Sequence, residues 1–78
     1  MRELDWGRAM RMLKASSGLS QAELAAKAGI SPSHLAEIRA GRRTRGGRQS
    51  HPSIDTLLHL AEAGEVEVST IISWAEGS

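Results

Sequence analysis

The stretch Gly18-Leu19-Ser20-Gln21-Ala22-Glu23-Leu24-Ala25-Ala26-Lys27-Ala28-Gly29-Ile30-Ser31-Pro32-Ser33-His34-Leu35-Ala36-Glu37-Ile38-Arg39-Ala40 carries two successive sets of helix start signals. Ser20 with Glu23 three residues on forms a capping box, in which each side chain satisfies a backbone N–H that the first helical turn leaves orphaned. Leu24, Ala25 and Ala28 then recur on one face at helical spacing. Gly29 follows, where a left-handed residue after a helix costs least in glycine. Ser31-Pro32 opens the second helix. Serine caps it, and proline at the first helical position gives up no needed hydrogen bond. Leu35 and Ile38 point inward, Ile30 packs just ahead of the cap, and Gly41 ends the helix. Helices over 20–28 and 31–40, joined across Ala28-Gly29-Ile30, are expected to cross at about 90–120°.

Working outward, the same grammar predicts three more helices. One spans about 5–17, capped by Asp5 and ended by Gly18, with Trp6, Ala9, Met10 and Leu13 on its apolar face. Another spans 53–63, opened by Pro52-Ser53 and ended by Gly64, with Ile54, Leu57, Leu58 and Ala61 on one face. A last one covers 69–75, with Val66, Val68, Ile71, Ile72 and Trp74 as its apolar set. Trp6 and Trp74 are the only aromatic residues, and runs of β-branched residues are scarce. The expected fold class is therefore all-α, a compact five-helix arrangement with residues 1–78 as a single domain.

The 78-residue length and 40% hydrophobic content allow one small core. Chains this short bury only about 60% of the surface they expose when unfolded, which leaves little to enclose a cofactor, and none is expected. Cysteine is absent, which excludes disulfide scaffolds, thiolate metal sites and cysteine nucleophiles. Small secreted domains usually need such staples, so a cytoplasmic location is expected. No apolar run approaches the roughly 20 residues that cross a bilayer, so no membrane association is expected. His34, His51, His59 and Asp55 are the only plausible metal or acid–base set. Asp55 and His59 share a face of one helix, but such a pair is more often a surface hydrogen bond than a ligand set. Neither enzyme activity nor a metal site is expected.

The net charge of +1 conceals a segregated distribution. Arg39, Arg42, Arg43, Arg45 and Arg48 cluster without an acid among them, in a stretch that runs into a basic loop over 41–52 containing Gly46 and Gly47. Asp55, Glu62, Glu65, Glu67 and Glu76 follow without a single lysine or arginine. Like charges packed so densely repel without a counter-anion, and a polyanion is the economical one. The planar fork of arginine suits phosphate and guanine better than lysine does.

The run Gly18-Leu19-Ser20-Gln21-Ala22-Glu23-Leu24-Ala25, with Ala28-Gly29-Ile30-Ser31, resembles the phage-repressor/Cro-type (XRE) helix-turn-helix family. So does Pro52-Ser53-Ile54-Asp55-Thr56-Leu57-Leu58-His59-Leu60-Ala61. The resemblance covers roughly residues 8–74 and implies a five-helix domain that binds double-stranded operator DNA, usually as a dimer. In that geometry the helix over 31–40 lies in the major groove. Three features depart from the family pattern. Arg39-Ala40-Gly41 stands where Glu-Asn-Gly is frequent, the loop before Pro52 is longer, and Pro32 takes a place often held by a polar base reader.

The family pattern puts Ser33, His34 and Glu37 at base-reading positions, with Pro32 beside them. Glu37 can accept from cytosine N4, and Pro32 can touch a thymine methyl. Glu37 could instead be a solvated acid paired with Arg39 or Lys27, and His34 could equally be a phosphate contact. Gln21, Ser31, Arg39, Arg42, Arg43, Arg45 and Arg48 are the expected phosphate contacts, with the loop arginines also able to enter a narrow minor groove. Arg8, Arg11 and Lys14 form a stripe on the first helix that is expected to be a solvated face. Val66, Ile72 and Trp74 are the candidate dimer interface, with Val68 and Ile71 facing the core. The expected function is sequence-specific regulation of transcription, as a repressor on a palindromic operator and without a small-molecule effector. The alternative keeps the fold but makes it a protein-interaction module, such as an antitoxin or an adaptor of a phage or restriction system. An apolar exposed surface would mark that alternative.

Overall fold

The computed structural model describes residues 4–40 and 52–77. Five helices follow in order: α1 (Trp6–Ser17), α2 (Gln21–Ala28), α3 (Pro32–Ala40), α4 (Ile54–Gly64) and α5 (Val68–Glu76). No strand occurs among the described residues. Residues 41–51 of the basic loop, with the expected stop at Gly41 and the arginines Arg42, Arg43, Arg45 and Arg48, lie outside them.

The caps form as the sequence predicts. The Asp5 carboxylate accepts from the Arg8 amide at 2.9 Å. Ser20 Oγ accepts from the Glu23 amide at 3.1 Å, and the Glu23 carboxylate accepts from the Ser20 amide at 3.0 Å. Those hydrogen bonds, the backbone one first, hold the Glu23 carboxyl below its ordinary range. Ser53 Oγ accepts from the Thr56 amide at 3.1 Å. Gly18 and Gly29 both take the left-handed conformation, at φ 71° and 70°.

The core is made by one face of each helix. Trp6, Ala9, Met10 and Leu13 of α1 are buried with Leu24, Ala25 and Ala28 of α2 and Leu35 and Ile38 of α3. Leu57, Leu60, Ala61 and Ala63 of α4 and Ile71 and Ala75 of α5 complete it. Helix α1 packs against α3, α4 and α5, while α2 packs against α3 and α4. The Asp5 amide donates to the Ala75 carbonyl at 2.7 Å, tying the start of α1 to the end of α5.

Two expectations for α4 are corrected. Ile54 and Leu58 do not share the buried face of Leu57 and Ala61; they are 71% and 52% exposed. Successive residues on a helix are about 100° apart, so Leu58 turns away from the stripe Leu57-Leu60-Ala61-Gly64. Ile54 lies in the first turn, ahead of that buried run. Gly64 is also not the terminator. It is the last helical residue and is buried, and the left-handed cap is Glu65 at φ 56°. A Cβ on Gly64 would overlap Leu13 Cδ1 and lie 3.3 Å from Leu13 Cγ. The glycine is spent on close approach of α4 to α1. Glu65 therefore carries the backbone strain, a cost of roughly 1–2 kcal/mol for a residue with a Cβ.

Candidate nucleic-acid interface

The turn between α2 and α3 is built from two abutting motifs. At the end of α2 the Gly29 amide donates to the Ala26 carbonyl at 3.2 Å and the Ile30 amide to the Ala25 carbonyl at 3.0 Å. This is a Schellman arrangement, with glycine in the left-handed position. At the start of α3 Ser31 Oγ accepts from the His34 amide at 3.1 Å. Only Gly29, Ile30 and Ser31 lie between the helices. Ile30 packs against the core, and Leu35 and Ile38 are buried below it at 1% and 0% exposure. The outward face of α3 is thereby fixed in direction by caps on one side and packing on the other.

That face carries the sequence-predicted readers. Pro32, Ser33, His34 and Glu37 are all exposed, as are Ser31 and Ala36. Ser33 and Glu37 are four residues apart, and His34 and Glu37 three, so they adjoin on one surface. The structure thus brings these four residues together on one helix; Ser31 is occupied as the cap.

Gln21 and Arg39 are joined across the two helices. The Arg39 guanidinium donates through Nη1 to Gln21 Oε1 at 2.7 Å. Both side chains are half-buried. The bond links the first residue of α2 to the last turn of α3, and it engages Arg39 with Gln21 rather than with Glu37. The Gln21 carbonyl oxygen accepts this bond, which leaves the amide N–H groups of Gln21 as donors for a ligand.

Sequence reasoning missed Gly7. It sits in the first turn of α1 and is buried. A Cβ there would lie 2.5 Å from the Arg39 carbonyl oxygen, so the absent side chain lets α1 approach the end of α3. An isolated glycine inside a helical pattern was the available signal, since its roughly 1 kcal/mol cost relative to alanine needs a packing reason. Val66, Val68, Ile72 and Trp74 are half-buried and pack against the core, while Ile71 is fully buried. No group of three or more His, Asp or Glu able to hold a metal occurs among the described residues. Within them no helix is long and apolar enough to cross a membrane.

A family model described as a helix-turn-helix domain matches residues 5–70. No curated protein matches the chain. Among solved structures the chain is similar to the clp gene regulator ClgR from Corynebacterium glutamicum. In one of its crystal structures the identity is 27% and the TM-score 0.76, covering 94% of this chain and 86% of that one. It is also similar to the restriction-modification controller protein C.AhdI from Aeromonas hydrophila. There the identity is 29% and the TM-score 0.67, covering 87% of this chain and 92% of that one. Five helices with the α2–α3 turn at their centre and a model matching most of the chain lead to one assignment: the chain belongs to the helix-turn-helix family of DNA-binding transcription regulators.

Proposed function

We propose that the protein is a sequence-specific transcriptional repressor that binds a palindromic operator as a homodimer. The observation that carries this reading is the exposed face of α3. Ser33, His34 and Glu37 project from a helix held by the Ser31 cap and by buried Leu35 and Ile38. A helix presented in this way reads base edges in the major groove from its N-terminal half. The neighbouring proteins described as a gene regulator and a restriction-modification controller support it. Repression is the simplest output of a small domain, because occupying an operator requires nothing beyond binding. Residues 1–78 act as a single domain, and control rests on protein concentration, with no effector.

Selection of bound duplexes from a random DNA library tests the reading. The expected result is a motif with two-fold symmetry and half-sites about 34–36 Å apart. An unenriched library sinks it. Within the selected motif, Glu37→Ala is expected to relax preference at one base-pair position, by about 1–3 kcal/mol of discrimination. The double substitution Arg43→Ala, Arg45→Ala is expected to weaken all duplexes by similar factors. A change in sequence preference larger than the change in affinity would place those arginines in the minor groove instead.

One helix-turn-helix reads too few base pairs to pick a genomic site alone, which supports pairing. Val66, Ile72 and Trp74 are the proposed interface, since each keeps part of its surface exposed while packing on the core. Trp74→Ala is expected to give a folded monomer with much weaker operator binding. Lost helicity and a lower melting temperature, with the dimer intact, would assign Trp74 to the core instead. A specific observation also favours the second reading, a protein-interaction module on the same fold: Ile54 and Leu58 form an exposed apolar pair on α4. Failure of the library selection would turn attention to that surface.

A further inference from the structure

A cleft between α1, α2 and α3 is lined by Arg11, Gln21, Ala36, Arg39 and Ala40. Among the described residues that line it are two arginines and no acid. Arg11 comes from the helix whose basic stripe the sequence gives no function. The bare Cα of Gly7 brings the parts together. An atom placed at its Cβ position would lie 3.3 Å from Arg11 Nη1 and 2.5 Å from the Arg39 carbonyl oxygen, so the exposed Arg11 and the last turn of α3 both lie close to Gly7. Arg39 is in turn fixed by its 2.7 Å hydrogen bond to Gln21. Two like charges share this cleft, while five of the nine acids of the chain fall between Asp55 and Glu76. Such an arrangement is stabilised by an anion between the charges and is otherwise repulsive.

We propose that Arg11 is a DNA-contacting residue, and that Arg11, Gln21 and Arg39 form a clamp from three helices around one backbone phosphodiester. Arg39 acts twice. It donates to Gln21 with one nitrogen, which aims the Gln21 amide N–H groups outward, and it retains further N–H donors for the phosphate. Arg11 supplies the opposing jaw. The hydrogen bond between Arg39 and Gln21 exists before any ligand arrives, so two of the three groups lose little freedom on binding. The clamp adjoins the reading face of α3 and fixes how deeply that helix sits in the groove, as phosphate contacts do. The proposal rests on the DNA-binding reading above.

The test uses the full chain and a duplex enriched by library selection. Arg11→Gln is compared with Arg8→Gln, because Arg8 lines a different cleft with Ser69, Thr70, Ser73 and Trp74. Arg11→Gln is expected to reduce the steepness of log K against log salt by about 0.9 per subunit, and to weaken binding about eightfold per clamp at 0.1 M salt. It is expected to do so equally on selected and scrambled sequences, while Arg8→Gln leaves both quantities unchanged. A scan of single methylphosphonate substitutions then locates the phosphate. One position per half-site is expected to weaken the wild type, and to weaken Arg11→Gln less, because Gln21 and Arg39 still meet that phosphate in the variant. If the wild type binds and Arg11→Gln retains its affinity and slope, the clamp is overturned and the DNA reading stands. If the wild type binds no duplex, both fall. If Arg11 and Arg39 resonances respond to inorganic phosphate while no methylphosphonate position depends on Arg11, the cleft takes a free anion, and the clamp on DNA is overturned.

Discussion

Replacing Leu13 by alanine is expected to destabilise the fold by about 2–5 kcal/mol, and in that background Gly64→Ala is expected to change sign, from destabilising to stabilising. Leu13 is fully buried on α1, and the bare Cα of Gly64 faces it from α4. In the wild type an added methyl at position 64 overlaps Leu13 Cδ1. Leu13 must then leave its rotamer or the two helices must part, at about 1–3 kcal/mol. Against this stands the higher helix propensity of alanine, worth about 1 kcal/mol inside a helix. Overpacking is expected to outweigh this gain because Leu13 is fully buried within the core cluster. With Leu13 truncated the overlap disappears, the new methyl fills part of the vacated volume, and only the propensity gain remains. Urea denaturation of the four proteins in the cycle measures the coupling, expected within about 0.5–3 kcal/mol. Additive effects would show that Gly64 is no packing device. Domains of this kind hold roughly 5–15 kcal/mol in total, so Leu13→Val provides a milder first leg of the same cycle.

The same pair shows where the sequence was legible and where it was not. Caps are local: Ser20 with Glu23, Ser31 with Pro32, and Gly18 and Gly29 all act within four residues of themselves. Each is found as the sequence predicts it. The buried faces of α1, α2 and α3 were legible for a related reason, since each apolar stripe there is narrow. Helix α4 was harder. Its apolar residues surround much of the helix, so periodicity alone did not separate the buried Leu57 and Leu60 from the exposed Leu58. Gly64 lies where a terminator belongs, and no local rule distinguishes a glycine needed for its left-handed φ from one needed for its missing side chain. That distinction requires knowing that Leu13, far away in sequence, arrives opposite. Gly7 belongs to the same class. The role of Gly7 arises only once α3 has packed against α1, so a helix-by-helix reading misses it. The outward face of α3 was legible because it is what remains after Leu35 and Ile38 are assigned to the core.

The second large effect expected is on DNA affinity as salt is raised. A chain with a net charge of +1 has little overall attraction for a polyanion. Any steep salt dependence must therefore come from segregation: five arginines between Arg39 and Arg48 against five acids after Pro52. Each phosphate neutralised contributes about −0.9 to the slope of log K against log salt. If four of the proposed contacts form in each subunit of a dimer, the slope is about −7. Affinity then falls about 10⁴-fold between 50 and 200 mM salt, within the range known for proteins making that number of contacts. The slope should be nearly the same on a selected operator and on a scrambled duplex, because phosphates position the protein without reporting sequence. The two binding curves should instead be offset by the base contacts of α3. Equilibrium binding on both duplexes across that salt range checks each part separately. A slope shallower than about −2 on the operator would mean that the arginine cluster does not meet the DNA backbone. A steep slope with no offset would mean that Ser33, His34 and Glu37 do not read bases, and that the protein coats DNA rather than selecting a site.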